Sequence, residues 1–432
     1  MTSDPAEQAP IPDPSAELLE QLTDVYRDLH ANPELSMREH RTAELAAQWL
    51  SDLGWEVTTG VGGTGVVGVL RNGDGPTVLL RADMDALPVL EATGLPYAST
   101  ATAVDASGQD GPVAHACGHD MHVTWLMGVT RILCEHTDRW RGTVVAVFQP
   151  GEETAEGAVA MVADGLAGRF PTPDVALGQH VVPAPAGTVA WHAGVTMSAS
   201  DSWQVVFHGR GAHGSMPQLS VDPIVMAASA VTNLQQVVAR VVGMREEAVL
   251  TVGSFHAGTS ENTIPASATI KLNVRTYDGA VRERVLGAIR RIIAGQALAA
   301  GAPQDPEITV LGAHPALIND EPATLRVADA LTGRFGPDRV LQAPPSTASE
   351  DFGVLAAAWG IPSVFWFVGG TDPDAYAAAM AAGTVETLPA NHSPAFAPVI
   401  RPTLETGIAA MVAAAAAWLG SAGAEPPPAG KR

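Results

Sequence analysis

The sequence predicts an α/β protein with a smaller unit of β-α-β-β-α-β order inserted into it. Three observations carry this expectation. The chain has 432 residues, more than one ordinary core encloses, so two domains are the default. Short runs that are apolar throughout, as strands buried on both faces should be, alternate with helical stretches in its first and last parts. Between those parts the rhythm changes to that of a ferredoxin-like unit.

Leu18, Leu19, Leu22, Val25, Tyr26 and Leu29 recur at helical spacing, and a second helix, Thr42 to Leu53, is stopped by Gly54. Strands are expected at Gly65 to Leu70, Thr77 to Leu80, Thr143 to Phe148, Asp174 to Leu177 and Ser363 to Val368, with a helix over Val123 to Cys134. In the middle, Ser202 to His208 reads as a strand. Asp222 and Pro223 open a helix as N-cap and first helical residue. Strands Ala248 to Phe255 and Ala268 to Arg275 follow. The apolar stripe Val281, Val285, Leu286, Ile289, Ile292 and Ile293 marks the next helix, and Ile308 to Leu311 closes the set. The expected domains are therefore 1–197 with 312–432, and an inserted 198–311. Residues 1–14 and the tail from Ala422 are expected to be disordered.

The formal charge of −22 argues against nucleic-acid binding, which needs a basic face. No apolar run reaches the ~20 residues of a membrane span, and no signal peptide opens the chain, so a soluble cytoplasmic protein is expected. Two cysteines, Cys117 and Cys134, make no disulfide framework and suit a reducing compartment. Gly60-Val-Gly-Gly-Thr-Gly65 looks like a dinucleotide loop, but a strand rather than a helix follows it, which excludes that reading.

The stretch His115-Ala-Cys117-Gly-His119-Asp-Met-His122 concentrates metal-binding side chains. Gly118 lets the backbone turn so that Cys117 and His119 point at one ion, and a thiolate with an imidazole suits a borderline-soft divalent metal. A helical three-histidine site from His115, His119 and His122 is the competing arrangement. Three expected strand ends carry further polar groups: Asp83 and Asp85, Glu152 and Glu153, and His180. Open α/β sheets place their sites outside such ends. Taken singly, an acidic residue after a strand is more often a turn residue or a helix cap, and only the joint occurrence beside Cys117 and His119 points to a site. Two adjacent carboxylates point in different directions, so one can bind metal while the other takes a proton from the attacking water and hands it to a leaving amine.

Taken together, these blocks resemble the aminoacylase/carboxypeptidase metallopeptidases, in the amidohydrolase branch with hippurate hydrolase and the indoleacetyl-amino-acid hydrolases. The resemblance runs from about Leu29 to Leu419. It rests on Leu29-His-Ala-Asn-Pro-Glu-Leu35, Arg81-Ala-Asp-Met-Asp-Ala-Leu-Pro88, His115-Ala-Cys-Gly-His-Asp120, Phe148-Gln-Pro-Gly-Glu-Glu153 and Gly178-Gln-His180. Gly209-Arg-Gly-Ala-His213, Glu261-Asn-Thr-Ile-Pro265, Ser349-Glu-Asp-Phe352 and Asn391-His-Ser-Pro394 complete it. It implies a catalytic domain of the zinc-exopeptidase type with an inserted lid through which two copies pair as a homodimer.

The resemblance further implies two divalent ions, manganese or zinc with cobalt or nickel admitted, on Cys117, His119, Glu153, His180 and His392. Glu152 is then the general acid/base. Related branches have a histidine where Arg81 stands and no cysteine at 117, which favours a thiolate at Cys117, bridging the ions. Asp83 is expected to orient a ligand; Asp85 either shares that task or caps a helix. His213 on the lid is implied as the oxyanion donor. Asn262 and Arg275 are candidates to grip a substrate carboxylate, though Arg275 on an amphipathic sheet reads equally as a solvent-facing residue. Ala348 stands where glycine is usual, and Gly214-Ser215 where two small residues are. The implied activity is hydrolysis of the amide of an N-acyl amino acid or small peptide-like conjugate. The alternative is a catalytically silent relative that binds such conjugates.

Overall fold

The computed structural model describes residues 10–105 and 108–420. Residues 1–9 and the tail from Ala422, both expected to be disordered, lie outside the described residues. The expectation of disorder through residue 14 is corrected by Ile11, which sits between prolines yet is buried in the main core.

The chain forms two compact units, Met1–Gly194 with Ile318–Pro344 and Asp351–Arg432, and Val195–Leu317 with Pro345–Glu350. In the first come α1 (Ala16–Ala31), α2 (His40–Asp52), β1 (Glu56–Val61), β2 (Gly65–Asn72) and β3 (Thr77–Asp83). They are followed by α3 (His119–Glu135), β4 (Gly142–Gln149), β5 (Val175–Pro185) and β6 (Val189–Trp191). The second unit contributes β7 (Ala199–His208), α4 (Pro223–Arg240), β8 (Ala248–Ala257), β9 (Ser267–Thr276), α5 (Gly279–Ala300) and β10 (Glu307–His314). The chain then returns with α6 (Glu321–Phe335), β11 (Val340–Gln342), β12 (Ser363–Thr371) and α7 (Ile400–Trp418).

The large sheet runs β1-β2-β4-β3-β5-β12-β6-β11. Its centre, β4-β3-β5-β12, is parallel, and β1-β2 form an antiparallel hairpin whose turn lies in the glycine-rich stretch 60–65. The apolar strands are covered on both faces, which is why β3 and β4 are almost wholly buried. Helix α3 is buried from His119 through Thr130, packed among α1, α2, α7 and the sheet. Each aliphatic side chain removed from water there contributes roughly 1.5–3 kcal/mol. Helix α2 starts without its own capping bond; Glu34 instead accepts from the backbone N–H groups of Arg41 and Thr42 at 2.9 and 2.8 Å.

In the second unit, the antiparallel sheet β8-β9-β7-β10 has α4 and α5 against one face, with a core from Trp203, Phe207, Leu234, Ile270 and Ile289. Asp222 caps α4 through the N–H groups of Ile224 and Val225, with Pro223 next. The unit is wider than the expected 198–311, and it recovers Pro345–Glu350. Backbone bonds explain the return: Ser346 N–H donates to Thr196 O and Ser198 N–H to Ala348 O, at 2.8 and 2.9 Å. Among the described residues no helix is long and apolar enough to cross a membrane.

Candidate metal centre

Gly118 has φ +84° and ends the turn before α3; a Cβ there would lie 2.4 Å from Val181 Cγ1. This left-handed residue suits glycine, and it places Cys117 on the loop and His119 on the first turn of α3. From the end of β3, Asp85 Oδ1 lies 3.2 Å from His119 Nδ1 and accepts its proton, which turns Nε2 inward. There Nε2 stands 3.8 Å from Glu153 Oε1, and the same carboxylate oxygen is 3.3 Å from His392 Nε2. Cys117 Sγ is 3.5 Å from His180 Nε2, and donor atoms of Cys117, His119 and Glu153 all lie within 4.8 Å of one another. Asn391 holds the His392 loop by donating to the carbonyls of Cys117 and Val181, both at 3.1 Å. The five expected ligands thus converge from four segments.

Two of those atoms, His119 Nε2 and Glu153 Oε1, are buried with no hydrogen-bond partner among the described residues. A buried carboxylate oxygen left so is costly, and a cation between it and the imidazole answers both. The thiol agrees. Burial, then the charges of Glu153, Glu152 and Asp83, push Cys117 well above the usual thiol range, and a bound divalent ion would favour its thiolate. His180 gives Nδ1–H to Val181 O at 2.7 Å, and burial followed by the neighbouring His122 holds its proton affinity well below normal. It is a neutral imidazole whose Nε2 lone pair faces Cys117. The donor set therefore fits divalent metal.

The three-histidine alternative fails on geometry. His122 gives Nδ1–H to Asp83 Oδ1 at 2.5 Å and accepts from Val181 N–H at Nε2 at 2.9 Å, so neither nitrogen is left for a ligand bond. It links Asp83 to the residue beside His180, and Asp83 steadies that segment through it. Burial alone would raise the Asp83 carboxyl, but Arg81, His119 and His122 hold it well below the carboxylate range. Arg81 is itself buried and donates to Asp83, Gln149 and Asp351 at 2.8, 2.9 and 3.2 Å. His115 is buried and neutral, lowered to about 4 by burial, and neither ring nitrogen has a partner among the described residues. His180 lies inside β5, not at a strand end, because that strand continues to Pro185.

Sequence reasoning left Asp85 open and missed two partners. Asp85 Oδ2 accepts from Glu153 N–H at 3.0 Å and from Ser36 Oγ–H at 2.6 Å, which makes it an organiser of two ligands and not a helix cap. His30, buried beside the cluster, donates to Asp120 Oδ2 at 2.6 Å and Glu91 Oε1 at 3.0 Å. Burial alone would lower its pKa, but those two bonds raise it from 6.5 to about 10. Because the folded value exceeds the unfolded one, this stabilisation is complete below pH 6.5 and is lost as pH rises through 10. Urea unfolding should show stability falling across that window, and His30→Gln should reduce the slope. The part due to His119 should remain, since burial would lower its proton affinity but Asp83, Asp85 and Glu153 raise it over the same range. An unchanged slope in the variant would count against the imidazolium.

On the second unit, a short ribbon pairs Ala212–His213 with Thr263–Ile264. His213 Nδ1 accepts from Ser215 N–H at 3.1 Å, leaving Nε2–H as its donor. Asn262 Oδ1 accepts from Ser260 and Thr263 hydroxyls at 2.9 and 3.2 Å, which turns its amide N–H groups outward. Arg275 lies elsewhere on the unit. Its Nε donates to Asn273 Oδ1 at 2.8 Å and its Nη1 to Ser349 Oγ at 2.6 Å. It has no ion-pair partner among the described residues and lines a cavity of about 930 Å³ with Tyr277, Val249 and Met244.

Comparison with known proteins shows the family to which the chain belongs. The model of peptidase family M20/M25/M40 matches residues 79–389. The chain is 36% identical over 359 residues to an N-acetyl-L-cysteine deacetylase of Bacillus subtilis, covering 83% of this chain and 82% of that protein. It is 38% identical over 334 residues to a hippurate hydrolase of Campylobacter jejuni, covering 76% and 83%. Its fold is similar to the crystal structure of Bacillus subtilis YXEP protein, described as a dinuclear metal binding peptidase from the M20 family. There the TM-score is 0.72 and the identity 28%, over 93% of this chain and 98% of that one. The matched stretch runs from β3 through Glu152, Glu153 and His180, and the chain belongs to peptidase family M20/M25/M40.

Proposed function

We propose that this protein is a metal-dependent amidohydrolase that cleaves the amide of N-acyl amino acids or small peptide-like conjugates. The observation that carries the reading is that two buried atoms, His119 Nε2 and Glu153 Oε1, have no hydrogen-bond partner among the described residues and stand together with Cys117, His180 and His392. These five residues would hold two divalent ions, manganese or zinc, with cobalt or nickel admitted by the mixed S/N/O set. The position of Cys117, beside His180 on one hand and His119 with Glu153 on the other, supports a bridging role. Bound ions supply Lewis-acid polarisation of the scissile carbonyl and acidify the attacking water.

The chain's own residues do the rest. Glu152, buried next to the ligand Glu153, takes the proton from the attacking water and returns it to the leaving amine. His213, with Nε2–H as donor, stabilises the oxyanion; losing such a donor typically costs ~10²–10³ in rate. Asn262, at the end of the ribbon that carries His213, is the candidate to hold the substrate carboxylate; Arg275, which lines a separate cavity and is bonded to Asn273 and Ser349, is only a second candidate. Asp83 and Asp85 keep the histidines in place. A panel of N-acetyl, N-benzoyl and indoleacyl amino acids, run with each metal, tests the reading. Hydrolysis of at least one class supports it, and metal-loaded protein that hydrolyses none contradicts it.

The second unit would act as lid and dimer contact in the cytoplasm, where Cys117 and Cys134 stay reduced. Strand β8 is an uncovered edge of its sheet, and Val249 and Phe255 on it, with Ile224, Val225 and Val238 on α4, are exposed. A second copy that continues the sheet covers both. Light scattering should then report a dimer, and Val225→Glu with Phe255→Glu a monomer; a monomeric wild type contradicts the pairing.

A further inference from the structure

The turn before α2, residues 35–39, makes contacts that the reaction as described does not use. Glu39 has 0% exposure and stands at the N-cap position of α2, yet it makes no capping bond. Its Oε1 instead accepts from Met37 N–H at 2.7 Å and from Gly151 N–H, 112 residues away, at 2.8 Å. Its Oε2 bonds the hydroxyl of Thr64. Met37 is left-handed, at φ +62°, and its sulfur packs on Gly151, where a Cβ would come within 2.5 Å of it. Ser36 in the same turn donates to Asp85, the carboxylate that accepts from Glu153 N–H.

The backbone N–H groups on either side of Glu152 are therefore both held by buried carboxylates. Gly151 is tied to Glu39 and Glu153 to Asp85, and the 35–39 turn contacts both holders. Burial and then Asp85's charge raise Glu39 from 4.5 to about 7, so this carboxyl is kept at a cost that an apolar residue of similar size would avoid. The loop it grips bends through Gly151 at φ +54° and Ala155 at φ +58°, and closes on itself with Glu156 and Gly157 N–H bonded to Gly151 O.

We propose that the Ser36–Glu39 turn is a clasp that sets the position of the Glu152–Glu153 loop, with Glu39 as its positioning residue. The proposal rests on the reading of Glu152 as the general acid/base and Glu153 as a ligand. Glu39→Gln keeps a carbonyl for Gly151 and an N–H for Thr64. Glu39→Asp withdraws the acceptor by one methylene, and Glu39→Ala removes it.

The test compares the three full-length variants, metal-loaded, by steady-state kinetics on a hydrolysed N-acyl amino acid and by amide hydrogen exchange over residues 149–156. Expected for Glu39→Asp is a fall in kcat of about 10²-fold with KM little changed, since small misplacements of a reacting group cost that much. Exchange at Gly151 should quicken about tenfold or more in Glu39→Asp. Glu39→Gln should retain wild-type exchange and kcat. Wild-type kcat and exchange in Glu39→Asp overturn the clasp, as does an equal loss in Asp and Gln variants that merely follows their melting temperatures. If Glu39→Ala fails to fold, the Asp/Gln pair decides. An active Glu152→Gln would refute the reading of Glu152, while the exchange result would still decide the clasp by itself.

Discussion

Replacing Glu152 by glutamine is expected to lower kcat by about 10²–10⁴-fold, the range a positioned general acid/base supplies. Gln matches glutamate in shape but takes no proton, so the loss isolates proton transfer. Metal content should stay at the wild-type level, because the proposed ligands are Cys117, His119, Glu153, His180 and His392. Glu152 is buried, and because glutamine has nearly the same shape and volume the packing around it is kept, so a melting temperature near wild type is expected. Elemental analysis beside initial rates checks both halves. Retained turnover would remove Glu152 from the chemistry, and lost metal would make it a ligand.

Cys117→Ala is expected to have an effect of similar size by a different route. Cys117 Sγ faces His180 Nε2 at 3.5 Å and shares a cluster with His119 and Glu153. Its removal takes away the one soft donor and the proposed link between two ions. Fewer than two ions per chain and rates near background should follow, together with loss of the stabilisation that bound metal confers. That stabilisation amounts to about 2.7 kcal/mol when free ion is at a hundred times its dissociation constant. Calorimetry with and without chelator measures it: a large metal-dependent shift in wild type should shrink in the variant. Two ions and unchanged rates in Cys117→Ala would exclude the thiolate as ligand.

Much of this was legible in the residues because the relevant signals are local. The apolar runs of β3, β4 and β12 read as doubly buried strands, and Asp222-Pro223 reads as a helix start in any context. Cys117-Gly118-His119 carries its own turn. What was not legible depends on partners distant in sequence. Asp85 could be told from a cap only once His119 Nδ1 and Glu153 N–H were seen against it. His122 has the spacing of a ligand, and only the bonds to Asp83 and Val181 show both nitrogens committed. Glu39 looks like a residue at a helix start, since its bond to Gly151 leaves no trace in its neighbours. Ile11 between prolines has the composition of a disordered segment, and the apolar surface that buries it belongs to the far end of the chain.

Anomalous diffraction from crystals of the metal-loaded protein tests the central claim most directly. The account predicts two peaks enclosed by Cys117 Sγ, His119 Nε2, Glu153, His180 Nε2 and His392 Nε2, with His122 outside coordination distance. Peaks elsewhere, or ions bound without His119 and Glu153, would contradict it.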